Sequence, residues 1–345
     1  MEIIRVGVDL AKQVFQVHGV DGQEQPVWRG SYRRGKWLEE IIKRVEPGAA
    51  IGMEACAGAH YWARVLRARG YCVKLMAPQF VKPYVKSNKT DRNDAAAICE
   101  AMSRPSMRFV EVKSVEQQDI QAVHRVRTEL VAQRTSKANQ IRGLVGEYGL
   151  VAPIGLGALR RTLPDWLEDA ENGLSDRFRR LLAGLADDLR LLDARITELD
   201  DEIASIVDSD PAVQRLLELR GVGPITATAL VAALGTGEAF RRGRDFAVSL
   251  GLTPKQHSSG GKERLLGISK RGDAYLRQLL VHGARSVIRT ASDKDDSLSR
   301  WLQKLLARRH TNVVAVALAS KTARMAWALL RYDTVYQPSR AAATA

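Results

Sequence analysis

The chain has 345 residues, a hydrophobic fraction of 45% and a formal net charge of +14, which predict two or three domains and a surface that attracts DNA or RNA. No stretch reaches the roughly 18 apolar residues that cross a bilayer, and no signal segment opens the chain, which excludes a membrane protein. Three cysteines without C-x-x-C spacing exclude a disulfide framework or a zinc knuckle and favour the cytoplasm.

Short apolar runs alternate with helical patterns from residue 3 to about residue 103. Three predicted strands come first, and helices and strands alternate after them, which favours a mixed sheet covered by helices, an α/β fold. The predicted strands are residues 3–8, 14–18, 26–30, 49–53 and 71–76. The predicted helices are residues 36–45, 59–69 and 90–102, the last opened by a threonine cap.

The rest of the chain changes to helical patterns. Residues 115–145 combine apolar residues at helical spacing with interleaved arginines, which predicts a long basic amphipathic helix. After a Gly- and Pro-rich break over residues 146–164, leucines and isoleucines step by three and four through residues 182–206. We interpret this near-heptad order as a coiled-coil seam, in a helix hairpin or between subunits. A mostly helical region follows from about residue 210.

Four carboxylates suggest a metal site in the predicted sheet. Asp9 and Glu54 each close an apolar run, and Asp91 and Asp94 lie three residues apart at a helix start, on one helical face. Carboxylate oxygens are the ligands that Mg²⁺ prefers, and paired ions can clamp both reacting oxygens of a phosphodiester. The alternative is that Asp91 and Asp94 cap and charge a helix, while Asp9 and Glu54 are solvated strand ends.

Three segments resemble the signatures of the DEDD transposases of bacterial insertion sequences, in the groups numbered 110 and 1111. They are GVDLAK at 7–12, MEA at 53–55 and KTDRNDA at 89–95. The resemblance implies a RuvC-like, RNase H-like domain in which Asp9, Glu54, Asp91 and Asp94 are catalytic and bind Mg²⁺ or Mn²⁺. It extends over nearly the whole chain, and the predicted domains are 1–110 (catalytic), 111–210 (basic helix and coiled-coil connector), 211–335 (helical transposase domain) and a flexible tail, 336–345.

A second catalytic element is implied by the same resemblance. Residues 251–262, GLTPKQHSSGGK, are similar to the family's serine segment, and by position Ser259 is the nucleophile that attacks a DNA phosphate, with Ser258 as the close competitor. Without the family, Ser-Ser-Gly-Gly is typical of a flexible loop, and we expect His257 to point away from the nucleophile. The cations around the segment favour phosphate binding: Lys262, Arg264, Lys270, Arg271 and Arg277.

Basic residues elsewhere are also candidate nucleic-acid contacts. Lys86 and Lys89 stand beside the acidic motif. Arg127 and Arg134 on the long basic helix could contact the phosphates of an RNA.

Two glycine motifs remain. Gly221 and Gly223 lie in LRGVGPITA, which resembles a helix-hairpin-helix whose backbone N–H groups hold a phosphate. The alternative is a plain helix connection with Gly221 as a C-cap. Residues 30–37, GSYRRGKW, fit a phosphate-binding G-x-x-x-x-G-K, but Trp37 stands where a hydroxyl should meet Mg²⁺, so we do not expect nucleotide binding.

The residues alone predict metal-assisted chemistry on nucleic acid, and the resemblance implies a DNA transposase that cuts and rejoins strands. The resemblance further implies donor and target DNA, a structured guide RNA, and a homodimer or homotetramer that acts in the bacterial cytoplasm beside the nucleoid. Two rival hypotheses stay open. One is a RuvC-like metal-dependent junction endonuclease in which the serine is incidental, and the other is a non-enzymatic nucleic-acid-binding protein whose carboxylates only cap structure.

Overall fold

The computed structural model describes residues 2–86 and 90–337. The chain divides into two compact units, Met1–Val115 and Glu116–Ala345. Lys89, one of the predicted nucleic-acid contacts, lies outside the described residues, as does most of the predicted tail. The predicted domain boundaries stay predictions.

The described part of the first unit contains a six-stranded mixed sheet. Its strands are β1 (Arg5–Leu10), β2 (Val14–Val20), β3 (Pro26–Arg33), β4 (Ala50–Glu54), β5 (Cys72–Met76) and β6 (Phe109–Val110). Their order across the sheet is β3-β2-β1-β4-β5-β6. Strand β1 is parallel to β4, and β4 to β5, whereas β2 runs antiparallel to β1 and β3, and β6 runs antiparallel to β5.

Helices cover both faces of this sheet. They are α1 (Trp37–Arg44), α2 (Ala59–Arg67), α3 (Pro78–Val81) with a 3₁₀ turn after it, and α4 (Asp91–Met102). Val6 and Val8 of β1 share one buried cluster with Trp37 of α1 and Trp62 of α2. The side chains of successive strand residues point to opposite faces, and α4 packs in a second cluster with Met76.

The predicted mixed sheet with helices is confirmed in the first unit. Each predicted strand and helix is present, with ends shifted by a few residues, because apolar alternation and the Thr90 cap are local signals. Strand β6 was not predicted, since a strand of two residues has no alternation to detect.

The second unit opens with α5 (Val115–Gly146), α6 (Leu156–Glu168) and α7 (Asp176–Ser209). Ion pairs join α5 to α7. The residue numbers on α7 fall as those on α5 rise, so the two helices run antiparallel. The pairs are Arg127–Asp200, Arg134–Asp193 and Lys137–Asp188. Leu182, Leu189 and Ile203, which belong to the predicted seam, are buried. Whether this seam is a coiled coil stays a prediction.

The predicted Gly- and Pro-rich break extends too far, and this part of the prediction was wrong. Helix α6 begins at Leu156 and contains Pro164 in its interior. A proline there removes one backbone N–H donor and usually breaks a helix. Leu159, Leu163 and Trp166 are nevertheless buried against α5 and α7, and this apolar face holds the helix together.

The remaining elements are helices that share one apolar core and two largely exposed strands that contribute no residue to it. They are α8 (Pro211–Leu217), α9 (Pro224–Leu234), α10 (Gly243–Ser249), β7 (Pro254–Gln256), β8 (Leu265–Ile268), α11 (Ala274–Arg289), α12 (Ser297–Leu306) and α13 (Thr311–Tyr332). The last helix is long and apolar enough to cross a membrane by length and composition, so the prediction that no stretch qualifies was wrong. Its alanines, such as Ala315 and Ala319, are fully buried in this core, as expected for a core helix.

Candidate acidic site and serine hairpin

Two of the predicted acids lie at one edge of the sheet. In the parallel register of β1 and β4, Val8 pairs with Met53. Asp9 and Glu54 are the next residue on each strand, so they stand side by side at the carboxyl ends of neighbouring strands. Both side chains are half-buried.

Two glycines let α4 lie directly on the sheet beneath these acids. A methyl group at Gly7 would lie 2.2 Å from the carbonyl oxygen of Ala95, and one at Gly52 would lie 2.8 Å from the Met102 sulfur. Side chains two residues apart share a face of a strand, so Asp9 and Glu54 point to the α4 side. The role of these glycines was not predicted, although each stands two residues before its acid.

Helix α4 brings the other two acids to the same place. The nearest carboxylate oxygens of Asp9, Asp91 and Asp94 all lie within 4.8 Å of one another. Glu54 lies at the same edge but outside this group of three. The strand register nevertheless makes it a neighbour of Asp9. Both carboxylates also act on the Cys56 thiol: burial raises the pKa of this thiol, and the charges of Glu54 and then Asp9 raise it further.

The three-acid group fits a divalent cation. Opposite oxygen ligands of Mg²⁺ are about 4.2 Å apart, so small side-chain rotations suffice to bring three oxygens to one ion. The alternative was that Asp91 and Asp94 serve to cap α4. This role is already filled by the Thr90 side chain, which accepts a hydrogen bond from the Asn93 N–H at 3.3 Å. Lys86 is exposed in the segment that leads to α4.

Ser259 lies at the tip of a hairpin formed by β7 and β8, not in a flexible loop. Ser259 is bridged to Lys262, whose N–H donates to the Ser259 carbonyl at 3.1 Å. Between them, Gly260 and Gly261 have φ values of +56° and +77°. Positive φ at both central residues is typical of a type I′ turn, the tight turn that suits the twist of two strands.

The hairpin register separates the two candidate serines. Ser259 shares a face with His257, two residues away, and with the cross-strand residues Lys262 and Arg264. Ser258 belongs to the other face, where the Gln256 side-chain amide donates to its Oγ at 2.9 Å. The expectation that His257 points away from Ser259 was wrong. Side chains alternate between the two faces of a strand, so Ser258 points away from Ser259, whereas His257, two residues before Ser259, lies on the same face.

Two glycines and an arginine brace the base of this hairpin. A methyl group at Gly272 would lie 1.7 Å from the Ser249 carbonyl oxygen, and one at Gly251 would lie 2.4 Å from that of Arg271. The Arg277 guanidinium donates to the carbonyl oxygens of Leu250 at 2.8 Å and Arg271 at 3.0 Å. Arg277 is therefore occupied by structure, whereas the side chains of Lys262, Arg264, Lys270 and Arg271 are exposed.

The helix that follows the hairpin is tied to α5 and α9 by a buried histidine. His124 is 3% exposed, with Nδ1 3.0 Å from the Tyr275 hydroxyl and Nε2 2.9 Å from Thr228 Oγ1. Thr228 Oγ1 donates to the Pro224 carbonyl, so it accepts from Nε2–H, and we assign Nδ1 as the acceptor. Burial, aided by the charge of Arg127, lowers the pKa of His124 to about 4.

The segment that resembles a helix-hairpin-helix connects α8 to α9. Gly221 has a φ of +84° and lies against Gly283 of α11. A methyl group at Gly283 would lie 1.9 Å from the Gly221 carbonyl oxygen. Arg220 binds Asp296 at the start of α12 at 2.7 Å. Gly221 thus has a packing role in the turn, whereas Gly223 caps α9 and borders open space. Phosphate binding here stays a prediction.

Arg127 and Arg134 are engaged within the second unit. Both side chains are half-buried and pair with aspartates of α7. Their charges are therefore already partly neutralised, and contact with an RNA stays a prediction for these two residues.

Comparison with known proteins decides the family. The profile of the IS110-type DEDD transposases matches residues 6–149, and that of the transposase family IS116/IS110/IS902 matches residues 213–299. A probable family 20 transposase of Pseudomonas aeruginosa is 52% identical over 98% of this chain and 100% of its own length. The chain belongs to the IS110 family of transposases.

Two further relatives are similar over nearly their whole length. The transposase of insertion sequence IS1111A from Coxiella burnetii is 43% identical over 96% of this chain and 91% of its own. The IS1328 transposase of Yersinia enterocolitica is 41% identical over 96% of this chain and 98% of its own. The predicted family and the predicted activity, a DNA transposase that acts on DNA, are confirmed. A DEDD transposase needs a divalent metal, and the acidic cluster provides a place for one.

Proposed function

We propose that this transposase cuts and rejoins DNA with two separate elements: a divalent-metal site at Asp9, Glu54, Asp91 and Asp94, and a serine nucleophile at Ser259. One observation supports the proposal most, namely the meeting of Asp9, Asp91 and Asp94 oxygens within 4.8 Å. These acids come from a strand and a helix more than 80 residues apart in the chain, in a protein whose net charge is +14.

The acids act by holding charge at a fixed place. Asp9 and Glu54 are fixed by strand ends, and Asp91 and Asp94 by the first turn of a capped helix. These four acids would hold Mg²⁺ or Mn²⁺, which would supply Lewis-acid stabilisation of charge that develops on a DNA phosphate. Rigid strand and helix ends suit this task, because ligands that are already positioned need no reorganisation during the reaction.

The serine supplies the covalent step. The Ser259 oxygen forms a bond to phosphorus as one bond from that phosphorus to a deoxyribose oxygen breaks, and the hydroxyl proton leaves with the departing oxygen or water. The number of phosphate ester bonds is conserved, so the reverse reaction rejoins strands. Lys262 and Arg264, on the same face of the hairpin, are positioned to bind the phosphate.

The proposal includes further partners. A structured guide RNA would pair with donor and target DNA, and Arg127, Arg134, Lys86, Lys89, Lys270, Arg271 and the turn at Gly221 and Gly223 are candidate backbone contacts. Acids of one subunit would act with the serine of another, which requires a dimer or a tetramer. The reaction would take place in the bacterial cytoplasm, at the nucleoid.

The metal site is tested with Asp9→Asn, which keeps the size of the side chain and removes its charge. We expect Mn²⁺ binding, measured by calorimetry, to weaken at least about tenfold, and strand cleavage to fall by about a thousandfold or more. The matched control is Glu39→Gln, an exposed acid on α1 in the same unit, which should change neither. Cleavage by Asp9→Asn at the wild-type rate would reject the metal site.

The serine is tested by trapping. Protein denatured during strand exchange should carry a DNA fragment, and peptide mass mapping should place it on Ser259. Ser259→Ala should abolish the adduct while Ser258→Ala keeps it. An adduct on Ser258 would move the nucleophile by one residue, whereas cleavage without any adduct in Ser259→Ala would favour the metal-dependent nuclease.

The composite site is tested by mixing two inactive variants. Asp9→Asn and Ser259→Ala proteins, combined before DNA is added, should regain part of the activity if acids and serine come from different subunits. No recovery in mixtures that exchange subunits, as checked by differently labelled proteins, would place both elements in one chain.

A further inference from the structure

Four cations cluster at the same edge of the sheet as the acids. Lys12 lies in the turn that follows β1, and Arg33, Arg34 and Lys36 lie where β3 leads into α1. The two turns touch, because the Arg34 N–H donates to the Gln13 carbonyl at 2.7 Å. All four side chains are exposed. We call these residues, Lys12, Arg33, Arg34 and Lys36, the basic edge.

The antiparallel register fixes where the basic edge lies. Leu10 at the end of β1 pairs with Phe15, and Val14 at the start of β2 pairs with Arg33 at the end of β3. The ends of β1 and β3 therefore lie at the edge that also contains Asp9 and Glu54. Phosphate groups bound at the basic edge would therefore lie at the same end of the sheet as the acidic group.

Arg34 is held in place by aromatic rings. Its guanidinium lies 5.8 Å from the ring centroid of Phe15 and 5.5 Å from that of Trp62, both of which are buried. A guanidinium that lies over aromatic faces keeps its N–H donors available at its margin and loses less freedom on binding a phosphate. The guanidinium also lies near Gly58, four residues after Glu54: a methyl group at Gly58 would be 4.0 Å from the Arg34 Nη2 atom.

The charges of the basic edge are not balanced by partners in the described residues. Within residues 2–86 and 90–337, none of the four side chains makes an ion pair. Glu40, in the first turn of α1, instead pairs with Arg44. Four exposed, uncompensated cations beside a carboxylate cluster form a surface that attracts a polyanion to that cluster.

We propose that the basic edge binds the sugar-phosphate backbone of the DNA that is cut at the acidic site. This inference rests on the proposed function, which places the phosphodiester chemistry at these acids. DNA is the partner because the cations border the group that would act on its phosphates. Arg34 provides a planar, positioned contact, and Lys12 and Lys36 provide point charges.

The experiment measures the affinity of the full-length protein for a linear DNA duplex of random sequence without a cleavage-supporting metal, as a function of salt. The double variant Lys12→Ala and Lys36→Ala leaves the aromatic rings covered and should lower the affinity about tenfold, with a salt slope reduced by about two. Arg34→Lys should lower affinity by about threefold to tenfold although the charge is kept, because the stacked fork is lost. The controls are two exposed cations, Lys43→Ala in the last turn of α1 and Arg69→Ala two residues beyond the end of α2, and both should leave the affinity and the salt slope unchanged.

Failure of this inference can be told apart from failure of the proposed function. If the basic-edge variants keep wild-type affinity and salt slope while Asp9→Asn stops cleavage, the basic edge is rejected and the metal site stands. If the variants lose affinity while Asp9→Asn still cuts, the binding surface stands and the metal site is rejected. Loss of affinity for an RNA hairpin alone, with duplex DNA unaffected, would also overturn the inference.

Discussion

The acidic site and the serine hairpin are built in opposite ways. The acids sit on the ends of core strands and a core helix, and two glycines let that helix lie on the sheet. The serine sits at the tip of an exposed two-stranded hairpin that is braced only at its base. The acidic site is ordered by the core of the first unit. The serine hairpin is ordered by the turn at its tip and by the close contacts of Gly251 and Gly272 at its base.

This difference indicates how each element prepares for the reaction. Metal ligands must keep a fixed separation before substrate arrives, and a packed core provides that. An isolated two-stranded hairpin is only marginally stable in water, so the serine hairpin is free to adjust when it meets a DNA backbone. The acids should therefore be sensitive to changes in packing, and the serine to changes in the hairpin's turn and base.

The largest effect is expected at Gly7. In Gly7→Ala the new methyl group would lie 2.2 Å from the Ala95 carbonyl oxygen and 2.5 Å from the Cys99 nitrogen. Helix α4 must move away from β1, which we expect to lower the free energy of unfolding of the first unit by about 4 kcal/mol. Because Asp91 and Asp94 move with α4, Mn²⁺ binding measured by calorimetry should be lost as well.

The control for this prediction is Gly22→Ala, since a methyl group there meets nothing within 4 Å. Urea unfolding of both variants, followed by hydrogen exchange in the first unit, makes the comparison. A Gly7→Ala protein with normal stability and normal Mn²⁺ binding would show that the close contact of α4 with the sheet does not position the acids.

The second largest effect is expected at the base of the hairpin. Gly272 has a φ of +73°, and in Gly272→Ala the methyl group would lie 1.7 Å from the Ser249 carbonyl oxygen. We expect a loss of about 3 kcal/mol in the second unit, with less of the trapped DNA adduct and unchanged Mn²⁺ binding. Gly267→Ala, on β8 with open space around it, is the control. A loss of Mn²⁺ binding in Gly272→Ala would contradict the separation of the two elements.

A pH-dependent effect of intermediate size is expected from His124, which ties α11 to α5 and α9. Its folded-state pKa of about 4 lies below the unfolded value, so the unfolded chain binds the extra proton and stability falls as pH falls from about 6.5 toward 4. Between pH 7 and pH 5 this amounts to about 2 kcal/mol.

His124→Gln removes the titrating group, so the loss of stability of the second unit between pH 7 and pH 5 should shrink by that amount, as measured by urea unfolding at both values. His282→Gln, at an exposed histidine on α11, is the matched control for the substitution itself. An unchanged pH dependence in His124→Gln would show that His124 is not neutral in the folded protein.

The same contrast explains what the sequence could predict. Strand ends with their acids, the Thr90 cap and the long helix α5 follow from local alternation, spacing and capping, so residues such as Asp9 and Asp94 could be found by reading along the chain. The close approach at Gly7 and Gly52 depends on a helix far away in sequence. The hairpin of Ser259 was missed because its strands are short and exposed, although the Gly260-Gly261 pair that marks a type I′ turn was visible.

The smallest effect is expected at the tip of the hairpin, where backbone strain alone would lower stability. Gly261 has a φ of +77° with open space around it, so Gly261→Ala should cost only about 1 kcal/mol, confined to the turn. Gly260→Asn is the matched control, because asparagine tolerates the φ of +56° and favours the first central position of a type I′ turn. Since Ser259 precedes this turn, Gly261→Ala should reduce adduct formation severalfold and lower the free energy of unfolding of the second unit by no more than about 1 kcal/mol, whereas Gly260→Asn should react normally. Equal adduct yields in wild type and Gly261→Ala would show that the turn does not position the serine, and that order at the tip comes from the bound DNA alone.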